Sequence, residues 1–216
     1  MIKILVLGSK GQVGSELVCL GPSYPQYEFV FLDRSLLDLG NEHDIRKYFL
    51  DKTFDTIINC SAYTAVDKAE TEVDLAFAIN AKAPETMAQY AADHGATFLH
   101  YSTDYVFDGE KYGFYLEDDL RKPLGVYGKS KATGEEAIAK AFLSGKRTGQ
   151  YAIFRTSWVY GDGGNFIRTI LRLAKDREEL KIINDQYGVP TSAQWLAQVS
   201  LDLAIDENLK PRKFLS

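Results

Sequence analysis

Apolar residues along this chain gather in short, β-branched runs, and between the runs they recur at helical spacing. Ile2 to Leu7 is the first run and has the pattern of a parallel strand buried on both faces. Further strands are expected at Phe29 to Leu32, Thr56 to Asn59, Thr97 to Ser102 and Tyr151 to Thr156. Helices are expected at Val13 to Leu20, Glu42 to Leu50, Asp74 to Asp93, Tyr127 to Phe142 and Asn165 to Lys175, with Gly95 capping the third. Ser144 to Gly149 reads as a turn, and Lys181 to Ile183 as a short apolar stretch. Asp104 to Val126, rich in Gly, Asp and Tyr, reads as a long loop over the site. The alternation predicts an α/β fold of the Rossmann type, a doubly wound parallel sheet. Ligands of such sheets bind beyond the carboxyl ends of the strands. Gly8, Asp33, Asn59 to Tyr63, Ser102-Thr103 and Thr156 to Trp158 all fall at such ends.

The first strand runs into Gly8-Ser9-Lys10-Gly11-Gln12-Val13-Gly14, a Gly-x-x-Gly-x-x-Gly turn ahead of a helix. Glycines there let the backbone approach a pyrophosphate, whose charge the helix N-terminus favours. A plain tight turn is the alternative. Asp33 ends the second strand, where an acid can hold the adenosine ribose hydroxyls. Arg34, next to it, suits a 2′-phosphate instead, so NADH and NADPH both stay open.

The chain has 216 residues, enough for one domain or one domain with a small lobe. Its net charge of −5, with no block of Lys or Arg, argues against nucleic acid as a partner. No signal peptide or membrane-spanning run is read, and a cytoplasmic location is expected. Cys19 and Cys60 read as small buried residues rather than a disulfide framework. His43, His94 and His100 lack ligand spacing, so no metal site is expected, and structural roles are expected for His94 and His100.

Tyr127-Gly128-Lys129-Ser130-Lys131 places a Tyr and a Lys four apart at the start of a helix, on one face. An ammonium beside the phenol would lower a tyrosine pKa that is ordinarily about 10. A tyrosine tuned that way can pass a proton near neutral pH.

With the glycine turn at one end and Tyr-x-x-x-Lys at the other, the chain resembles the extended short-chain dehydrogenase/reductase family. Ser102-Thr103-Asp104-Tyr105-Val106-Phe107-Asp108-Gly109 is similar to the fourth-strand signature of the dTDP-4-dehydrorhamnose reductases within it. Gly11 to Gly14, Asn59 to Glu70, Ala78-Ile79-Asn80, Arg155 to Tyr160 and Asp185 to Thr191 match the same group in the same order. Members of that group usually continue past the Pro-Thr segment to complete a sugar-nucleotide lobe. Residues 1–160 are therefore expected to form the NAD(P)-binding domain and 161–216 a small, incomplete part of the lobe.

The resemblance implies reduction of the 4-keto group of dTDP-4-dehydro-6-deoxy-L-mannose, with NADPH or NADH as cofactor and a dTDP-sugar as substrate. It assigns proton donation to Tyr127, tuning of that tyrosine and ribose binding to Lys131, and polarisation of the keto oxygen to Thr103. Gly8, Gly11, Gln12 and Val13 are expected at the pyrophosphate, Asp33, Asp38 and Leu39 near the adenosine, and Ser61, Ala62 and Tyr63 along the cofactor's middle. Asp104 and Trp158 are expected against the sugar nucleotide, with a turn-forming Asp and a core Trp as alternatives. Asn80 has either a backbone-and-water relay role or simple solvent exposure, and Asp67, Lys68 and Glu70 read as a solvated helix-start cluster. A homodimer is within the family's range. A 4,6-dehydratase or 4-epimerase on the same fold is a rival, although Tyr105 stands where a dehydratase carries a second acid. A non-catalytic NADP-binding regulatory subunit is the other rival.

Overall fold

A computed structural model of the protein describes residues 1–143, 148–206 and 210–214. Five parallel strands, β1 (Ile2–Leu7), β2 (Tyr27–Leu32), β3 (Thr56–Asn59), β4 (Thr97–Thr103) and β5 (Gln150–Thr156), form one sheet in the order β2-β1-β3-β4-β5. The chain steps outward from β1 to β2, then returns to place β3 on the other side of β1. Such a reversal opens a crevice at the carboxyl ends of the two diverging strands, here β1 and β3. Leu7 pairs with Leu32 on one side and Asn59 on the other, so Gly8, Asp33 and Cys60 emerge together at that edge.

Both faces of the sheet are covered, which is why the strands read as continuous apolar runs. Helices α1 (Gln12–Leu20), α2 (Glu42–Phe49), α3 (Val66–Ala69), α4 (Val73–Phe77), α5 (Ala83–His94), α6 (Val126–Phe142), α7 (Phe166–Asp176) and α8 (Ala193–Ala204) follow in chain order. Leu5 and Leu7 point toward Ile45 of α2, Met87 of α5 and Ile138 of α6. Ile4 and Val6, on the opposite face, pack with Leu17 of α1 and with Ala197 and Leu201 of α8. Residues 193–204, expected in the substrate lobe, thus cover the sheet itself. The sequence reading missed α8, although Ser192 caps it by accepting from the Trp195 amide at 3.4 Å and Leu196 and Leu201 lie on its buried side. Two short strands, β6 (Val159–Tyr160) and β7 (Thr191–Ser192), pair in parallel beyond the end of β5. The turn read at Ser144 to Gly149 lies outside the described residues for positions 144–147.

The single helix expected at Asp74 to Asp93 is three pieces. Between α4 and α5 a π turn spans Ala78–Lys82. Pro84 has no N–H to offer the Asn80 carbonyl, and in a regular α-helix its ring would collide with it. The wider turn resolves both problems. It also lets α6 approach closely: a Cβ on Gly134 would stand 2.1 Å from the Asn80 carbonyl oxygen. Gly134→Ala gains at most about 1 kcal/mol of helix propensity but forces the two elements apart. A net loss of about 1–3 kcal/mol is expected. Urea denaturation checks it, and a midpoint at or above that of the unsubstituted protein would contradict it.

Candidate active site

Gly8 holds φ at 76°, a left-handed conformation that side chains rarely take. A Cβ there would sit 2.7 Å from the Ser61 hydroxyl, and one on Gly14 would sit 2.1 Å from the Gly8 carbonyl oxygen. The turn is therefore packed to its limit on the protein side, closed by the Gly11 amide donating to the Gly8 carbonyl at 2.9 Å. No side chain caps the start of α1, which leaves its first amides directed outward. Gln12 donates to the Val159 carbonyl at 3.3 Å and accepts from Asn165 at 3.4 Å, drawing residues 161–165 over the turn.

A cleft of about 690 Å³ opens here. Gly8, Gly11, Gln12 and Val13 form its floor, with Asp33, Asp38 and Leu39 at one end, and Ser61, Ala62 and Tyr63 along a wall. Tyr127 and Lys131 line the same cleft. Thr103, Asp104 and Trp158 are not among its lining residues. None of residues 104–126 lines it either. That segment, expected over the site, instead packs Val106 and Phe107 beside Ala132 of α6. The sequence reading passed over Lys10, Ile79, Tyr101 and the Asp162-Gly163-Gly164 loop, all of which line the cleft. Only the paired glycines of that loop hinted at a close approach.

Asp33 is held ionised. It accepts from the Lys10 ammonium at 2.5 Å and from the Ser35 amide and hydroxyl at 2.7 and 2.5 Å. These bonds, Lys10 first, keep its carboxyl well below the usual range. Arg34 leans toward Asp38 at 3.6 Å and is mostly exposed.

The Tyr127–Lys131 pair departs from expectation. The lysine is 1% exposed, and its Nζ donates to the Tyr101 carbonyl at 2.6 Å and lies 3.1 Å from His100 Nε2. Burial lowers it to about 7, against a smaller opposing pull from Glu135. The Tyr127 phenol moves up rather than down, to about 12, because burial outweighs its interaction with the Thr103 hydroxyl. A lysine that is itself half neutral near pH 7 supplies little positive charge to reverse this.

Thr103 ends β4 and faces that phenol, while its hydroxyl donates to Asp104 at 3.0 Å and accepts from the Tyr105 amide at 3.2 Å. Burial raises the Asp104 carboxyl, with Thr103 opposing. Trp158 is not core: it is 42% exposed and carries a φ of 45°, a strained value for a tryptophan. Gly188 approaches its indole so closely that a Cβ would meet it at 2.7 Å.

Asn80 is buried, which removes the solvent-exposed alternative. It accepts from the Tyr63 amide at 2.9 Å and donates to the Tyr63 carbonyl and the Ser130 hydroxyl, each at 3.0 Å. Ser130 in turn donates to the Tyr127 carbonyl at 2.7 Å, so one side chain ties the cleft wall to the start of α6. Glu70 is more than part of a solvated cluster, since its carboxylate accepts from the Val126 amide at 2.8 Å and caps α6 from outside. Cys19 is exposed rather than buried, whereas Cys60 lines the cleft with its thiol pushed well up by burial. Among the described residues no group of His, Cys, Asp and Glu is arranged to hold a metal ion, and no helix is long and apolar enough to cross a membrane.

Sheet order, glycine cradle and acid at the second strand define a Rossmann-type α/β protein with a cleft shaped for a dinucleotide. Residues 2–214 match the family described as RmlD substrate binding domain, and the chain belongs to that family. It is 45% identical over 199 residues to a dTDP-4-dehydrorhamnose reductase of Escherichia coli K12, covering 91% of this chain and 64% of that one. The corresponding enzyme of Aggregatibacter actinomycetemcomitans is 42% identical over 205 residues, covering 94% of this chain and 68% of the other. Among solved structures, a dTDP-4-dehydrorhamnose reductase of Clostridium acetobutylicum superposes with a TM-score of 0.85 at 40% identity, covering 94% of this chain and 70% of that one. The Bacillus anthracis enzyme, solved in complex with NADP, superposes at 0.84 with 36% identity and the same coverage. The chain thus spans about two thirds of the length of the curated relatives it matches.

Proposed function

We propose that this protein uses NADPH or NADH to reduce the 4-keto group of dTDP-4-dehydro-6-deoxy-L-mannose, giving dTDP-L-rhamnose. One observation carries the reading: Tyr127 and Lys131 line the same cleft as the glycine turn and Asp33. A bound nicotinamide supplies the hydride. Gln12 and Val13 hold the pyrophosphate through the uncapped amides at the start of α1, Gly11 lets it approach the turn, and Asp33 with Asp38 and Leu39 holds the adenosine end. Ser61, Ala62 and Tyr63 support the middle, and Lys131 the ribose next to the nicotinamide.

Ketone reduction needs an acid, because negative charge builds on the former keto oxygen. A phenol raised to about 12 is fully protonated at neutral pH and is the correct form to donate. Tyr127 gives its proton to that oxygen, and Thr103 polarises it by hydrogen bonding. Asp104 and Trp158 contact the sugar nucleotide, and residues 161–192 contribute the part of the substrate lobe present here. A cytoplasmic setting and a homodimer complete the reading, each measurable by fractionation and by sedimentation.

The direct test is decay of NADH and NADPH absorbance when the purified chain meets the keto sugar. Decay that depends on both partners supports the reading, and cofactor binding without decay argues for a binding subunit. Asp33→Asn removes the charge that meets the ribose hydroxyls, so NADH turnover is expected to fall about tenfold more than NADPH turnover. Equal losses would remove Asp33 from cofactor selection.

A further inference from the structure

Asp162, Gly163 and Gly164 line the cofactor cleft, although the reading above counts their segment with the substrate lobe. Two carboxamides fasten this loop, and both are oriented by fixed partners. The Arg168 backbone N–H donates to Asn165 Oδ1 at 3.0 Å, and a backbone amide cannot reverse that role. The other end of the Asn165 carboxamide is therefore its NH2. That group donates to the Gly161 carbonyl at 3.0 Å and, at 3.4 Å, to the Gly163 carbonyl and to Gln12 Oε1. Gln12 then presents its own NH2 to the Val159 carbonyl, 3.3 Å away. The loop is tight at one end and open at the other. A Cβ on Gly161 would stand 2.8 Å from the Ala193 Cβ and 3.9 Å from the Gln12 Cβ, whereas one on Gly164 would meet nothing within 4 Å.

The carbonyls fix where the loop's amides point. The peptides are trans, so each is planar with its C=O and N–H directed oppositely. The Gly161 and Gly163 carbonyls turn to Asn165. The N–H groups of Asp162 and Gly164, at the far ends of the same two peptides, thus turn away from it. Gly163 joins the two peptides at a φ of 111°, which side chains rarely adopt. Among the described residues, neither N–H donates to a backbone carbonyl. We propose that the amides of Asp162 and Gly164 are a second set of donors to the cofactor's pyrophosphate, added to those at the start of α1, and that Asn165 and Gln12 are the positioning residues that hold them there. Neighbouring backbone N–H groups on one loop make a seat for an anion. The loop's own acid is offset, because the Asp162 carboxylate accepts from the Arg168 guanidinium at 2.6 Å.

The proposal rests on the dinucleotide reading of the cleft and not on the keto sugar. Asn165→Ser keeps a side-chain oxygen to cap α7 but has no NH2 to hold the loop. Calorimetry compares its binding of NADPH with that of 2′,5′-ADP, which carries the adenosine phosphates and lacks the pyrophosphate. The substitution is expected to weaken NADPH about tenfold and to leave 2′,5′-ADP within about twofold. Gln12→Met releases the loop from the other side and should weaken NADPH to a similar extent, with no further loss in the double variant. Hydrogen exchange read by mass spectrometry follows the loop itself. NADPH is expected to slow exchange at residues 161–164 in the unsubstituted chain and not in Asn165→Ser. Equal weakening of both probes would mean that Asn165 only supports the fold, and unchanged NADPH affinity or unslowed exchange would remove the loop from the pyrophosphate. Each of these overturns the proposal alone. An unsubstituted chain that holds neither probe would overturn the dinucleotide reading, and the proposal with it.

Discussion

Replacing Tyr127 by Phe lowers turnover about 10²–10⁴-fold, the range a positioned general acid supplies, and leaves NADPH affinity within about a factor of three. The two halves of this expectation have separate causes. The phenol lines the cleft in its protonated form and is the group proposed to meet charge on the keto oxygen. The residues proposed for the pyrophosphate and the adenosine follow β1 and β2, whereas Tyr127 stands at the start of α6. Stopped-flow turnover and fluorescence titration with NADPH check the two halves. A fall in affinity equal to the fall in turnover would mean that the tyrosine binds rather than protonates.

Gly14→Ala removes cofactor binding by about 100-fold or more, the scale that a displacement of about 1 Å exacts at a preorganised site. The added carbon would stand 2.1 Å from the Gly8 carbonyl and 2.9 Å from the Ser9 Cα. Both neighbours are backbone, so no rotamer change relieves the clash. Either the start of α1 swings away or the glycine turn opens, and either movement misaligns the amides meant for the pyrophosphate. Calorimetric titration with NADPH measures the loss. Affinity within threefold of the unsubstituted protein would show that the turn is not the binding element.

Much of this was legible in the chain. The five strands are read correctly to within a residue or two because each is a short, largely apolar run, and β1, β3 and β4 at the centre of the sheet are mostly buried. The glycine turn and the Tyr127–Lys131 spacing are local features, and the sheet topology brings both to one cleft. What escaped was set by contacts distant in sequence. The π turn at Ala78–Lys82 relieves Pro84, but what fastens it in place is distant: Asn80 reaches Tyr63 and Ser130, and Gly134 lets α6 close in. Glu70 caps a helix 56 residues away. The direction of Lys131 Nζ depends on Tyr101 and His100, and the rise of the Tyr127 phenol on its burial, neither of which helical spacing alone brings into view.

The most direct test of the account follows the hydride. The purified chain is given [4-²H]NADPH and the keto sugar, and the sugar nucleotide is analysed by mass spectrometry and NMR. Hydride transfer to the keto carbon gives dTDP-L-rhamnose one mass unit heavier than with unlabelled cofactor, with deuterium at C4 of the sugar. Recovery of unlabelled keto sugar, from protein shown by titration to hold the cofactor, would contradict it.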